Sequence, residues 1–171
     1  MTDRSQKTRV GQSLSTAVSL ISGIVQGSCL GPLLFLIYIN DIAAIFDERV
    51  KPKLFADDLK LYMTVKNDAD RSMFQANLDK LGQWAKDWQL KISATKCCVL
   101  NIGRQSTATA YYIVGQSLPN VDQSIDLGSI IDGKLKFSKH INTIVRKAIT
   151  RANPILKCFF LERHTYSRQS F

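Results

Sequence analysis

The residues in this 171-residue chain best suited to chemistry are two adjacent carboxylates, Asp57 and Asp58. They lie between two runs of strand-compatible residues, Lys51-Pro-Lys-Leu-Phe55 and Leu59-Lys-Leu-Tyr62. That arrangement predicts a β-hairpin with an acidic bend. Oxygen donors held at a fixed bend suit a hard divalent cation such as Mg²⁺, with Mn²⁺ the alternative. An Asp-Asp pair in a turn is more often a solvated turn former than a pair of ligands. The pair therefore acquires catalytic meaning only from its surroundings.

Upstream, Gly23-Ile-Val-Gln-Gly27-Ser28-Cys29-Leu30-Gly31-Pro32 leads into the apolar run Leu33 to Phe46. Proline is well placed in the first turn of a helix, where its missing N–H has no partner to lose. The helix it opens is apolar on nearly all sides and is expected to be buried. Downstream, Phe74, Leu78, Leu81, Ala85 and Trp88 step by four, three, four and three residues, the spacing of one helical face. Trp84 falls on the same stripe, and both tryptophans are expected in the core. Short strands are expected at Lys91-Ile-Ser, Cys97 to Ile102, Tyr111 to Val114 and Ile125 to Leu127, separated by polar turns. From Ser138 to about Phe160 a second helical stripe runs through Ile141, Ile144, Val145, Ala148, Ile149, Ala152 and Ile155, and Pro154 should kink or end it. Helix, hairpin, helix, short strands and basic helix make an α+β order. Residues 1–22 show no clear periodicity and are expected to form a leader without clear structure.

Charge is unevenly distributed. Residues 1–132 hold 14 Lys+Arg against 13 Asp+Glu, whereas residues 133–171 hold 9 against the single Glu162, so nearly all of the net +9 is C-terminal. A basic surplus of that kind suits a polyanion, because each cation that neutralises a phosphate releases condensed counterions. Lys139, Arg146, Lys147 and Arg151 lie off the apolar stripe and are the candidate backbone contacts. The cysteines Cys29, Cys97, Cys98 and Cys158 have neither zinc-ligand spacing nor the look of a disulfide framework, which fits reduced thiols in an intracellular protein. The longest apolar run is too short for a bilayer and contains Asn40 and Asp41, so no membrane partner is expected.

Four stretches in order resemble one family. Gly23-Ile-Val-Gln-Gly-Ser-Cys-Leu-Gly-Pro-Leu-Leu-Phe resembles motif B of non-LTR (LINE-type, jockey-like) retrotransposon reverse transcriptases, usually G-V-P-Q-G-S-x-L-G-P-L-L-F. Phe55-Ala-Asp-Asp58 resembles motif C and Trp88-Gln-Leu-Lys-Ile-Ser-Ala-Thr-Lys96-Cys resembles motif D. Ile125-Asp-Leu-Gly-Ser-Ile-Ile-Asp132 with Phe137-Ser-Lys-His-Ile141 resembles motif E and the start of the thumb. The resemblance implies a partial palm over residues 23–132 and a basic, helical, thumb-like segment over 133–171.

It also implies roles. Asp57 would be the main ligand of catalytic Mg²⁺ and Asp58 the auxiliary. Gln26, Gly27 and Ser28 would lie beside the incoming nucleotide and template, and Lys96 would be a candidate general acid for pyrophosphate. The implied partners are an RNA template, a DNA primer and deoxynucleoside triphosphates, and the implied setting is nuclear. Val25 departs from the usual proline of motif B and Ser93 from a frequent asparagine of motif D; neither removes a metal ligand. The family's motif A aspartate normally precedes motif B by several tens of residues. Here 22 residues precede Gly23, with Asp3 their only acid, so the metal site is expected to be incomplete. The implied activity is therefore RNA-directed DNA synthesis by the parent polyprotein, whose N-terminal part would be a further partner. The alternative is a catalytically inactive nucleic-acid-binding relic.

Overall fold

The computed structural model describes residues 4–20, 23, 27–103 and 109–166, with side chains as far as Phe159. It is a mixed helix-and-strand chain that divides into two compact units, Met1–Thr64 and Val65–Phe171. The division falls inside the stretch that sequence assigns to the partial palm.

In the first unit, the leader expected to lack clear structure forms, from Ser5 to Ser19, an antiparallel ribbon. Strand β1 (Ser5–Gln6) pairs antiparallel with β4 (Val18–Ser19), and β2 (Arg9–Val10) with β3 (Ser13–Leu14). Gly11, at φ +59°, makes the turn that an L-residue would resist. Between the two paired stretches one side has Lys7-Thr8 and the other Ser15-Thr16-Ala17, so the ribbon contains a bulge. The Ser15 hydroxyl fills it by accepting from the Thr8 N–H at 2.9 Å. Sequence missed this ribbon because strands two residues long carry no readable alternation.

The apolar helix is also revised. It begins as predicted at Gly31-Pro32, but α1 (Gly31–Tyr38) gives way at Ile39 to a 3₁₀ segment, Asn40–Ile45. Along this stretch Leu33, Leu36 and Ile37 are exposed, Ile37 to 64%, while Ile39 and Ile42 are buried, as is Val50 just before the next strand. Composition predicts which residues seek burial; it does not supply a surface to cover them. β5 (Lys51–Phe55) and β6 (Asp58–Tyr62) then form the predicted hairpin.

The second unit is organised by α2 (Asp68–Asp87). Asn67 caps it by accepting from the Asp70 N–H at 2.9 Å, and the Asp70 carboxylate accepts from the Lys66 N–H at 2.8 Å. Leu78, Leu81, Trp84 and Ala85 are buried, and α2 packs on the hairpin of β8 (Tyr111–Ile113) and β9 (Gln116–Leu118), which supplies buried Tyr111, Ile113 and Leu118. These strands follow β7 (Val99–Leu100), which pairs in parallel with β10 (Asn120–Val121). Trp84 is 8% exposed as expected for core, but Trp88 is 37% exposed: it caps the helix end and stacks on Trp84 at 5.9 Å from the outside.

Lys91-Ile-Ser is not a strand; the chain there runs into a 3₁₀ turn, Ala94–Lys96, whose buried Ala94 anchors it. A second hairpin, β11 (Gln123–Asp126) and β12 (Ser129–Asp132), turns through Leu127 and Gly128, both at positive φ. Gly133 follows at a close approach, since a Cβ there would stand 2.5 Å from the Asn101 carbonyl oxygen. α3 runs Ser138–Tyr166 and continues through Pro154 rather than ending there. No helix of the described residues is long and apolar enough to cross a membrane.

Candidate active site

The acidic bend is built by cross-strand pairing. The register runs Lys51↔Tyr62, Pro52↔Leu61, Lys53↔Lys60, Leu54↔Leu59 and Phe55↔Asp58, which leaves Ala56 and Asp57 as the two loop residues. Opposed residues share a face, so Phe55 and Asp58 stand beside Lys53 and Lys60 on one side, while Leu54, Leu59, Pro52 and Leu61 line the other. Asp58 thus opens β6 rather than sharing the loop with Asp57.

Ala56 has φ +51°, a conformation two-residue hairpin loops usually assign to glycine. For an L-residue this costs roughly 1–2 kcal/mol. Such strain persists where surrounding structure over-determines it, and here it lies directly before Asp57. Asp57, Asp58 and Phe55 are all exposed, Phe55 to 61%, so both carboxylates are open to solvent and to an incoming ligand. Their hard oxygen donors suit Mg²⁺. Among the described residues no three or more His, Cys, Asp or Glu side chains form a group that could hold a metal ion, so the hairpin offers two carboxylates towards such a site.

In the same unit, Gly27 adopts φ +82° with open space where a Cβ would lie, so the peptide there can be approached closely. Ser28 is half-buried, and its hydroxyl accepts from the Gly31 N–H at 2.9 Å, so it ties the turn to the start of α1. Gln26 lies outside the described residues.

In the second unit, Lys96 ends the 3₁₀ turn with its side chain exposed, and its N–H donates to the Ser93 carbonyl at 2.9 Å. Beside it, burial and then the neighbouring Cys98 push the Cys97 thiol above its ordinary range. Lys139, Arg146, Lys147 and Arg151 are all exposed on α3, as expected. Lys139 also donates from Nζ to Gln123 Oε1 at 2.9 Å, which ties the start of the helix to β11.

Sequence reasoning passed over His140, whose Nδ1 accepts from the Ile130 N–H at 3.3 Å. Ile130 occupies a non-hydrogen-bonded position of its hairpin, so its N–H points outward and His140 satisfies it. It also passed over Gln75, whose side-chain amide accepts from the Tyr112 N–H and donates to the Tyr112 carbonyl, each at 2.9 Å. Only the spatial meeting of distant segments reveals either partner.

Residues 8–129 match the family described as reverse transcriptase (RNA-dependent DNA polymerase). Over 138 residues the chain is 30% identical to the RNA-directed DNA polymerase from mobile element jockey of Drosophila melanogaster, which covers 76% of this chain and 15% of the relative. It is 28% identical over 145 residues to the probable RNA-directed DNA polymerase from transposon X-element of the same organism, covering 80% and 16%. A third relative there, the probable RNA-directed DNA polymerase from transposon BS, is 32% identical over 162 residues, covering 87% and 18%. The chain thus spans less than a fifth of the length of these relatives. No solved structure matches it.

Proposed function

We propose a reaction from one premise: this chain belongs to the reverse transcriptase (RNA-dependent DNA polymerase) family, as a segment of the non-LTR retrotransposon type. In our reading residues 23–132 are part of the polymerase palm, residues 133–171 open the thumb, and the activity is RNA-directed DNA synthesis. The observation that carries this is the bend at Ala56-Asp57, which sets Asp57 in the loop and Asp58 directly after it at the turn end of a hairpin.

Asp57 and Asp58 would hold Mg²⁺, with Mn²⁺ the alternative, and bound metal would activate the primer 3′-hydroxyl and steady the departing pyrophosphate. The turn at Ala56 sets the backbone position of Asp57, whose exposed carboxylate is open to an incoming ligand. Gly27, with Gln26 and Ser28 around it, offers a backbone with no Cβ to nucleotide and template. Lys96 gives its proton to pyrophosphate as it leaves. Arg146, Lys147 and Arg151, with Lys139, meet the phosphates of the primer-template duplex without reading its sequence. The substrates are deoxynucleoside triphosphates, an RNA template and a DNA primer, and the setting is the nucleus.

A second reading, nucleic-acid binding without catalysis by these 171 residues alone, rests on the strongly basic C-terminal segment, where residues 133–171 hold 9 Lys+Arg against the single Glu162. One set of assays separates the two on poly(rA)/oligo(dT). Joined behind the preceding polymerase sequence of the jockey relative, the chain should extend primer, and Asp57→Ala should lower the rate by about three powers of ten or more. The chain alone should bind the duplex with strong salt dependence and extend nothing. Undiminished extension by the joined Asp57→Ala protein would overturn the assignment of the hairpin.

A further inference from the structure

Residues 133–137 join β12 to the start of α3, and the backbone of this connection is tied at successive points. Three consecutive N–H groups end on one residue: Asp132 Oδ1 accepts from Lys134 at 3.0 Å and from Lys136 at 2.9 Å, and the Asp132 carbonyl accepts from Leu135 at 2.9 Å. Gly133 is held from outside the connection. Its N–H donates to the Asp122 carbonyl at 3.1 Å, and its carbonyl accepts from the Gly103 N–H at 2.9 Å. Lys134, Leu135 and Lys136 expose their side chains, and in a surface connection of this kind water ordinarily takes such amides.

The second fixed point lies in the first turn of the helix, where half-buried His140 accepts through Nδ1 from the Ile130 N–H at 3.3 Å. Asp132 and Ile130 are two residues apart on one strand, so β12 grips the chain both before α3 and within it. One grip would leave a pivot; two fix a direction. Direction matters because the cations stand far out on the lever. Arg151 lies 13 residues beyond Ser138, which is ~20 Å at 1.5 Å per residue. A tilt of ~15° at the root would carry it ~5 Å sideways, beyond the reach of a charge-assisted hydrogen bond.

We propose that Asp132 and His140 are positioning residues that together fix the direction in which α3 leaves the hairpin, and so where Arg146, Lys147 and Arg151 meet the phosphates of the primer-template duplex, which rests on the reading of those cations as phosphate contacts. Neither residue needs charge in this role. Each supplies an acceptor atom, and asparagine carries one, Oδ1, at the same number of bonds from its Cα. If Asp132 held a metal ion or His140 met phosphate as a cation, asparagine would not replace it.

Two measurements on the 171-residue chain test this. The direction of α3 is read by pulsed electron spin resonance between labels on Cys98 and Cys158, both exposed, after Cys29→Ser and Cys97→Ser. Affinity is read by fluorescence anisotropy on poly(rA)/oligo(dT) at fixed salt. Wild type should give one narrow distance distribution. Asp132→Ala with His140→Ala should broaden it and weaken binding roughly 10-fold, with helix content and tryptophan fluorescence unchanged. Where that pair unfolds, His140→Ala alone replaces it, with the same direction of change expected. Asp132→Asn with His140→Asn should keep the narrow distribution and bind within about two-fold of wild type. Wild-type distance and affinity in a folded alanine variant would overturn the proposal, and so would a broadened distribution in the asparagine pair. Arg146→Glu with Lys147→Glu should weaken binding and leave the distance unchanged. Unchanged affinity on that reversal would overturn the phosphate reading and the proposal with it, whereas weakened affinity there beside an unaffected alanine variant would overturn the proposal alone.

Discussion

α2 and α3 read alike as sequence and end differently as structure. Both are amphipathic, with apolar residues recurring at three- and four-residue steps. α2 buries Leu78, Leu81, Trp84 and Ala85, is capped by Asn67, and is joined to β8 by the Gln75 amide and by an edge-on contact of Phe74 with Tyr111 at 5.1 Å. α3 is tied down at its start by Lys139 to β11 and His140 to β12, and beyond that its stripe stays open. Periodicity thus defines a face of a helix. What lies against that face, and hence how much the helix stabilises the fold, is a separate matter.

Core truncation gives the sharpest test of the contrast. Leu81→Ala should cost about 3 kcal/mol, from lost burial plus the cavity left behind. Ile149→Ala, on a side chain 54% exposed, should cost less than about 0.5 kcal/mol. Urea unfolding followed by tryptophan fluorescence compares them directly, because the only two tryptophans are Trp84 and Trp88 at the end of α2. Equal costs would erase the distinction between the helices.

Smaller effects test the individual ties of α2. Gln75→Ala removes both hydrogen bonds to Tyr112 and should cost about 1–2 kcal/mol in the same assay, with faster amide exchange at Tyr112. Unchanged exchange there would mean the strand edge does not rely on Gln75. Asn67→Ala removes the cap and should cost about 1 kcal/mol, while Asn67→Asp should retain most of it.

The finest effect is with pH. Burial pushes the Cys97 thiol above its ordinary 9.0 and the Tyr111 phenol above 10.0, the latter against the lowering influence of Arg71. Both groups are then harder to ionise folded than unfolded. Their contribution is complete below the ordinary values and is lost as pH rises through the raised ones. The urea midpoint should fall progressively above pH 9, and Tyr111→Phe should remove the upper part of that fall. A midpoint flat to strongly alkaline pH would show that neither group is held in its neutral form.

Much of the candidate site was legible because its signals are local. Asp57 and Asp58 flanked by alternating strands specify a hairpin bend whatever surrounds them, and the ordered stretches from Gly23 to Ile141 carried the family. The stripes on α2 and α3 follow from 3.6 residues per turn and need no partner to be seen. Other features had no local signal. The positive φ of Ala56 arises from closing a two-residue loop, and the leader ribbon from strands too short to alternate. Gln75 meets Tyr112 across 37 residues and His140 meets Ile130 across 10.

By itself the sequence determined the chemical groups at the bend, the family, the basic C-terminal segment and the helical phases of α2 and α3. Tertiary structure alone decided that Trp84 lies inside and Trp88 outside, that the apolar α1 breaks at Ile39 and stays exposed, and that α2 is covered while α3 is not. The reason is physical. Helical phase and turn formation depend on the geometry of neighbouring residues, whereas burial depends on which distant surfaces the folded chain brings against a given face.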